Sequence, residues 1–198
     1  MAIRTPTPPA SHEEGTAVSA EEYERIALAD PEHRWELHDG RLREKPGMTW
    51  DHADVITQVA VLLYQQLDRA EFRVHINNGR LRRAAETYYI PDLIVVPLEM
   101  GRDLRGRPDR LEVFADPLPL VVEAWSPSTG GYDVTAKLPE YQRRGDLEIW
   151  RIHPYERTLI AWRRRPDGGY DEVTYTGVTV RPIALPNVSI DLGVLFDA

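Results

Sequence analysis

The chain has 198 residues, which is about one ordinary domain and enough to bury roughly 70% of the surface that the unfolded chain exposes. The absence of cysteine excludes disulfide frameworks, thiolate zinc sites and cysteine nucleophiles, and the net charge of −8 excludes a protein that holds nucleic acid by broad electrostatic attraction alone. No apolar run approaches the roughly 20 residues that span a bilayer and no signal core is present, so we expect a cytoplasmic protein.

Residues 1–18 are predicted to form a flexible leader, and residues 19–198 a single domain. The leader is rich in proline, serine, threonine and glutamate and has few large apolar side chains. It therefore cannot bury enough surface to offset the entropy lost on ordering. The rest of the sequence has neither an internal repeat nor a second hydrophobic cluster set off by a linker, which favours one domain.

Helix-start and turn patterns predict the elements of the first half. Ser19 and Glu22 have the spacing of a capping box, and Asp39-Gly40 favours a tight hairpin turn. Apolar residues at three- and four-residue steps predict a long helix that begins at Thr49 or Asp51. In chain order we predict a helix at 19–30, strands at 33–38 and 41–45, a helix reaching 67, and strands at 72–76 and 88–96, the last broken by Pro91.

The second half is predicted to hold the centre of the sheet. Residues 118–124 are apolar on both faces except for Glu123, which is typical of a strand covered on both sides. We also predict a long exposed loop at 97–117, a helix at 132–144 ending at Gly145, strands at 147–152, 158–163, 170–175 and 178–183, and a tail at 190–196 closing with a helical turn. Together these elements predict an α+β domain with a mixed, mostly antiparallel central sheet flanked by helices.

Two carboxylates stand where the pattern calls for apolar side chains. Asp92 begins one apolar strand, and Glu123 lies near the end of another. Burying an unpaired carboxylate costs several kcal/mol, so each needs a partner, a proton or a metal ion. If the two strands are antiparallel neighbours, the acids share a face only when paired positions sum to an odd number near 215.

Such a pair of acids favours a hard divalent cation. Oxygen ligands with no cysteine favour Mg²⁺ or Mn²⁺ over zinc. Downstream, Asp133, Lys137 and Tyr141 follow at four-residue steps and so lie along one helix face. Only two of the 24 basic residues are lysines, Lys45 and Lys137, so each position raises the question of why arginine was not used there.

These residues resemble the Uma-type restriction endonuclease family of the PD-(D/E)XK nuclease superfamily over roughly residues 20–196. The matching residues are Trp35-Glu36-Leu37, Asp39-Gly40, His52, the segments 89–96 and 120–129, Asp133, Lys137-Leu138, Tyr141, Gly145, Glu148, Trp150 and Pro154. The resemblance implies a restriction-endonuclease-like fold and a Mg²⁺-dependent endonuclease, with Mn²⁺ as a possible substitute. It also implies hydrolysis of DNA phosphodiester bonds and assembly as a homodimer.

The resemblance also implies a role for each site residue. Asp92 and Glu123 would be metal ligands with the carbonyl of Ala124, and Glu36 would be an extra acid from the early hairpin, able to bind a second ion or a metal-bound water. Lys137 would replace the superfamily lysine, which usually stands two residues after the second acid.

The position that the superfamily usually gives to lysine is Trp125 in this chain, and the resemblance implies that the lysine has moved to the following helix. The chain departs from the family pattern at two positions. Pro139 falls inside the expected helix, which leaves the direction of Lys137 open. His153 stands where the family usually has aspartate before proline, which concerns a turn more than the chemistry.

Each residue also has a plain structural interpretation. Alone, Asp92 could cap a turn, Glu123 could pair with an arginine, and Lys137 and Glu36 could be solvated, while His52 is most simply a packing or capping residue.

Two other functions follow from such interpretations. One is a catalytically silent module that binds nucleic acid or protein on the same fold. The other is a phosphoesterase for a small anionic substrate, which predicts a closed pocket too narrow for a duplex.

Overall fold

The structure is a computed structural model that describes residues 14–84 and 86–197. Its helices are α1 (Ala20–Ala29), α2 (Trp50–Gln66), α3 (Gly130–Tyr132), α4 (Leu138–Arg144) and α5 (Leu192–Asp197), with a 3₁₀ helix at Leu98–Leu104 and a π-helical segment at Asp133–Lys137. The strands are β1 (Trp35–His38), β2 (Arg41–Glu44), β3 (Phe72–Ile76), β4 (Arg80–Arg82), β5 (Tyr88–Tyr89), β6 (Leu93–Pro97), β7 (Val113–Phe114), β8 (Leu120–Ala124), β9 (Glu148–His153), β10 (Thr158–Arg164), β11 (Tyr170–Thr176), β12 (Thr179–Val180) and β13 (Ile190–Asp191).

A six-stranded sheet, ordered β11-β10-β9-β8-β6-β3, forms the middle of the domain. Alternate side chains of its strands pack against α2 and α5 on one face, where Leu63, Val122 and Leu192 are buried together. The opposite face packs against α4 and a five-stranded sheet ordered β2-β1-β5-β4-β7, burying Val121, Tyr141 and others. The predicted α+β class and the mostly antiparallel sheet with flanking helices are confirmed, since only β4–β7 and β8–β9 pair in parallel among the described strands.

The predicted starts of α1 and α2, which rest on capping residues, are confirmed. The Ser19 hydroxyl accepts the Glu22 N–H at 3.2 Å, and the Thr49 hydroxyl accepts the His52 N–H at 3.4 Å, so α1 and α2 begin where a side chain takes up a free backbone donor. The apolar segment around Val121 forms β8 between two other strands of the sheet, as its two buried faces require.

The predicted exposed loop at 97–117 is wrong in part. It contains the 3₁₀ helix and β7, and Phe114 is buried in the second hydrophobic cluster. The pairing of β7 with β4 is parallel and distant in sequence, so neither strand has a hairpin signal. The predicted strand at 178–183 shortens to β12, and β4 was not predicted because Leu81 is its only apolar residue.

The described end of the predicted leader bonds to the domain. Gly15 donates its N–H to the Leu42 carbonyl at 2.7 Å, and Val18 donates to the Gly40 carbonyl at 2.9 Å. Residues 14–18 therefore lie along the β1–β2 hairpin, while the rest of the predicted leader lies outside the described residues. None of the helices in the described ranges combines the length and apolarity needed to cross a membrane.

The end of α4 offers a test of the backbone conformation. Gly145 has φ = 84°, the left-handed conformation that ends helices and that side chains with a Cβ adopt at a cost. We expect Gly145→Ala to lower the free energy of unfolding by about 1–2 kcal/mol, measured by urea denaturation. Gly131→Ala is the matched control, because Gly131 lies near the start of the same helical region and a Cβ there would meet open space. Equal stability of the two variants would contradict this account.

Candidate functional site

The candidate site forms where the chain passes from the five-stranded sheet to the six-stranded sheet. Pro91 separates β5 from β6 because it has no backbone N–H to donate to a ladder. The adjacent Ile90 is freed for other partners. Its N–H donates to Glu36 Oε1 at 2.8 Å, and its carbonyl accepts Lys45 Nζ at 2.7 Å and Lys137 Nζ at 3.5 Å.

The pairing of β6 with β8 places the two predicted acids opposite each other. Leu93 pairs with Val122 and Ile94 with Val121, so each pair sums to 215 and the predicted register is confirmed. Continuing by one residue sets Asp92 opposite Glu123, on the same face. The Ala124 N–H donates to Asp92 Oδ2 at 2.8 Å and ties the two segments together.

Asp92 is a fully engaged, buried carboxylate. Lys45 Nζ lies 2.8 Å from its Oδ1, and His52 Nε2 lies 2.9 Å from its Oδ2. Burial alone would raise the pKa of Asp92, but the ammonium of Lys45 and the hydrogen bond from His52 lower that pKa well below its usual range. Asp92 therefore stays ionised in the protein interior.

Glu123 is held on one oxygen only. Tyr141 donates its hydroxyl to Oε1 at 2.7 Å, and Lys137 Nζ lies 3.3 Å from the same oxygen. Burial raises the pKa of Glu123 to about 8, and the nearby charge of Asp92 adds to this although Lys137 opposes it. No described residue bonds to Oε2, so that oxygen is available for a proton or a cation.

Lys137 stands at the centre of a ring of acids. Its Nζ lies 3.1 Å from Glu36 Oε1, 3.3 Å from Glu123 Oε1 and 3.5 Å from Asp133 Oδ1. Burial lowers the pKa of Lys137, but these acids raise it well above the ordinary value, so the ammonium keeps its charge.

A local change in helix geometry delivers Lys137 to these acids. The segment Asp133–Lys137 is π-helical, and it ends where Pro139 enters the first turn of α4. Pro139 is tolerated there because the first turn of a helix needs no N–H from it. Pro139, which left the direction of Lys137 open, thus lies just past the π segment. Single π-helical turns are frequent at functional sites.

The site holds more carboxyl groups than ammonium groups. The buried acids Glu36, Asp92, Glu123 and Asp133 share the two buried ammonium groups of Lys45 and Lys137, and Glu123, with its pKa raised to about 8, carries a proton at neutral pH. A cavity of about 10 Å³ lies beside Asp92 and Glu123, with Gly47 and Met48 at its edge, and has room for about one water molecule. A single small cation matches this space and can take the place of the Glu123 proton.

Three residues of this site were missed or undervalued at the level of sequence. His52 is buried on Asp92, with its Nδ1 lacking a partner among the described residues, rather than being a packing residue. Tyr141, placed on one helix face with Lys137 by its spacing, donates its hydroxyl to Glu123 Oε1, a contact that the spacing did not specify. Lys45 had one usable signal, its rarity beside so many arginines, and the structure places both lysines of the chain in the same site.

Trp125 stands where the resemblance described above would place the superfamily lysine. Its indole stacks on the His153 ring with centroids 4.3 Å apart, and it lies directly against Gly130, where a Cβ would overlap it. Trp125 therefore contacts His153, a residue that departs from the family pattern, and the ammonium beside Glu123 comes from Lys137.

Comparison with known proteins places this geometry in a family. The family model Uma2, described as "Putative restriction endonuclease", matches residues 20–193. The chain belongs to the Uma2 family. The match covers every residue of the site described above, from Glu36 to Tyr141, so the acids and lysines are part of the Uma2 domain rather than of an added segment.

A solved structure supports the same fold. The crystal structure described as "a putative nuclease belonging to DUF820" from Anabaena variabilis aligns with a TM-score of 0.67, covering 82% of this chain and 89% of that chain. The sequence identity is 17%, so this likeness concerns the fold of the Uma2 domain alone. A search of curated proteins returned no match.

Proposed function

We propose that this protein is a Mg²⁺-dependent endonuclease that hydrolyses DNA phosphodiester bonds, with Mn²⁺ as a possible substitute. One observation carries the proposal: Asp92 and Glu123 are opposite each other in register, with the Lys137 ammonium bonded to Glu123. Membership of a family described as restriction endonucleases supports the nuclease activity. The metal ion, the DNA substrate and the residue roles are the proposed parts.

The donor set fits a hard divalent cation that is only partly held by protein. Within the described residues, no group of three or more His, Cys, Asp or Glu side chains is arranged so that it could hold a metal ion by itself. Mg²⁺ is usually bound by one or two carboxylates and completes its shell with water and substrate phosphate. Asp92, the free Oε2 of Glu123 and the carbonyl of Ala124 would supply that partial set, and a dication would take the place of the Glu123 proton.

The protein groups would share the work of hydrolysis as follows. The oxygen of water bonds to phosphorus and the water loses one proton to solvent, while the P–O bond to the leaving oxygen breaks and the leaving oxygen takes up one proton from solvent, so that one water is consumed. A bound Mg²⁺ would supply Lewis-acid stabilisation of the phosphoryl charge and a lower pKa for water. Lys137 would orient the attacking water or offset the charge that develops on phosphorus, and Glu36 would hold the Lys137 ammonium in place.

Two arginines beside the acids favour a phosphodiester substrate. Arg43 lies opposite Glu36 on the neighbouring strand of the β1–β2 pair, and Arg151 lies opposite Glu123 on the neighbouring strand of the β8–β9 pair. Both are partly exposed, and neither forms an ion pair with a carboxylate of the described chain. The net charge of −8 opposes binding of nucleic acid by the protein surface as a whole. These two guanidinium groups can still bind phosphate near the site.

The cavity size argues against a small-substrate phosphoesterase. Pockets that enclose a metabolite usually measure about 300–1,000 Å³, whereas the cavity among the acids is about 10 Å³. A phosphodiester presented at the edge of the site fits this shape better than a metabolite closed inside it. A catalytically silent binding module would have the same fold, so only a measurement of DNA cleavage distinguishes it from a nuclease.

We also propose that the protein acts as a homodimer, since cutting both strands of a duplex calls for two sites. Light scattering with and without a duplex oligonucleotide tests the assembly. A monomer in both conditions would contradict this part of the proposal, and nicking of one strand would then be the expected activity.

The nuclease proposal is tested by cleavage of supercoiled, linear and single-stranded DNA with Mg²⁺, with Mn²⁺ and with EDTA. We expect the wild type to nick or cut DNA in the presence of either metal ion, and EDTA to abolish the activity. Lys137→Ala is the matched control, purified in the same way and checked for folding by circular dichroism. Equal nicking by both proteins would indicate a contaminating nuclease. Binding of DNA without cleavage would favour the silent module.

A further inference from the structure

Both lysines of the chain converge on one backbone oxygen. Lys45 Nζ lies 2.7 Å from the Ile90 carbonyl oxygen, and Lys137 Nζ lies 3.5 Å from it. Lys137 faces Glu123, Glu36 and Asp133, whereas Lys45 has one carboxylate partner, Asp92 Oδ1 at 2.8 Å, and its side chain is 5% exposed. Lys45 is thus a buried cation dedicated to one carboxylate.

The two acids of the proposed metal site are not equally accessible to an ion. The Oδ2 atom of Asp92 already accepts hydrogen bonds from His52 and from the Ala124 N–H, and Oδ1 is held by Lys45. Glu123, by contrast, has Oε2 without a partner among the described residues. An ion that enters the cavity between these acids meets a free oxygen on one side and an ammonium on the other.

We propose that Lys45 is the resident counter-ion of Asp92, and that a divalent cation must displace it from Oδ1 in order to bind. This inference rests on the proposed function, in which Asp92 is a metal ligand. Lys45 then acts as a positioning residue that sets the affinity of the site for the ion. It weakens binding of the metal alone and keeps Asp92 ionised and in place until the ion arrives.

The chemistry of lysine suits this role better than that of arginine. An ammonium is a point charge on a flexible stem, so it can leave one acceptor and keep another, here the Ile90 carbonyl. A guanidinium binds through a rigid planar fork and would need a second acceptor in a fixed direction.

The test is calorimetric titration of Mn²⁺ and Mg²⁺ into the full chain without DNA. We compare the wild type with Lys45→Gln, whose amide can still donate a hydrogen bond to Asp92 but carries no charge. Removing a cation that competes for the same oxygen is expected to tighten Mn²⁺ binding by about tenfold or more. Lys45→Met, which removes the donor as well, is a second variant with the same expected direction.

Arg163→Gln is the matched control. Arg163 is a partly buried cation on β10 whose Nε lies 3.1 Å from Glu148 Oε1, so its replacement removes a positive charge from a different acid. Metal affinity of this variant is expected to equal that of the wild type. The shift of the melting temperature on adding Mn²⁺, measured for each protein, reports binding even where a variant is less stable.

The outcomes separate this inference from the proposed function. Tighter binding by both Lys45 variants, with the control unchanged, supports the displacement of Lys45. Unchanged or weaker binding by folded Lys45→Gln overturns it, while the nuclease proposal stands as long as the wild type binds the ion and Asp92→Asn does not. If neither the wild type nor the Lys45 variants bind either ion at millimolar concentration, both proposals are lost.

Discussion

Asp92→Asn is expected to abolish metal-dependent cleavage, with a loss of at least about a hundredfold, and to remove the heat of Mn²⁺ binding. The substitution keeps the size of the side chain and an oxygen for the Ala124 N–H, but it removes the charge that a dication needs. It also removes the anion paired with Lys45 at 2.8 Å. Cleavage is measured on supercoiled plasmid, and metal binding by calorimetry.

Asp30→Asn is the matched control for this variant. Asp30 is also a buried aspartate with a histidine and a second donor, since His33 Nδ1 lies at 2.9 Å and Trp35 Nε1 donates at 3.0 Å. It stands at the end of α1, away from the site, so Asp30→Asn is expected to retain cleavage and metal binding. Residual activity of Asp92→Asn equal to that of Asp30→Asn would remove Asp92 from the proposed mechanism.

Lys137→Met is expected to lower the free energy of unfolding of the metal-free protein by about 3–5 kcal/mol, the usual cost of removing one partner from a buried ion pair. Methionine matches the length of the lysine stem but leaves Glu36, Glu123 and Asp133 around an apolar end. These acids must then take up protons or admit water. Urea denaturation, with the slope compared between variants, measures the loss.

Added Mg²⁺ and a surface ion pair provide the controls for Lys137→Met. Because an ion that binds only the folded state stabilises it by mass action, saturating Mg²⁺ is expected to recover part of the lost stability. Arg25→Met breaks an exposed pair with Glu22 and is expected to have no measurable effect. A loss below about 1 kcal/mol for Lys137→Met would mean that the ring of acids does not depend on this ammonium.

Predictions based on local sequence were the most accurate. Ser19 and Thr49 cap their helices because a capping hydroxyl and the N–H that donates to it lie three residues apart, and the capping preference is therefore visible in the sequence. The register of β6 and β8 was predicted from Asp92 and Glu123, because a buried carboxylate without a partner costs free energy and the two acids share a face in only one parity of pairing. Both arguments need only neighbouring residues or one pair of strands.

What the sequence did not predict depends on contacts between distant segments. His52 and Asp92 meet because α2 packs on the six-stranded sheet, and no spacing in the chain encodes that approach. The only sequence signal near the π segment is Pro139. Proline inside a helix lowers its stability, but it does not specify which hydrogen-bonding pattern the helix adopts. The five-stranded sheet escaped prediction because β4 and β7 are three and two residues long, too short to show an alternating pattern.

The chain passes from the five-stranded to the six-stranded sheet at Pro91, and this makes the site sensitive to the alignment of these two sheets. Glu36 belongs to β1 of one sheet and Glu123 to β8 of the other, yet a single ammonium bonds to both, at 3.1 and 3.3 Å. Sliding one sheet over the other by about 1 Å would break one of these bonds, a displacement large enough to impair catalysis in enzymes generally. Mutations in the core between the sheets, around Leu81 and Ile94, would thus disturb the chemistry without touching any charged residue.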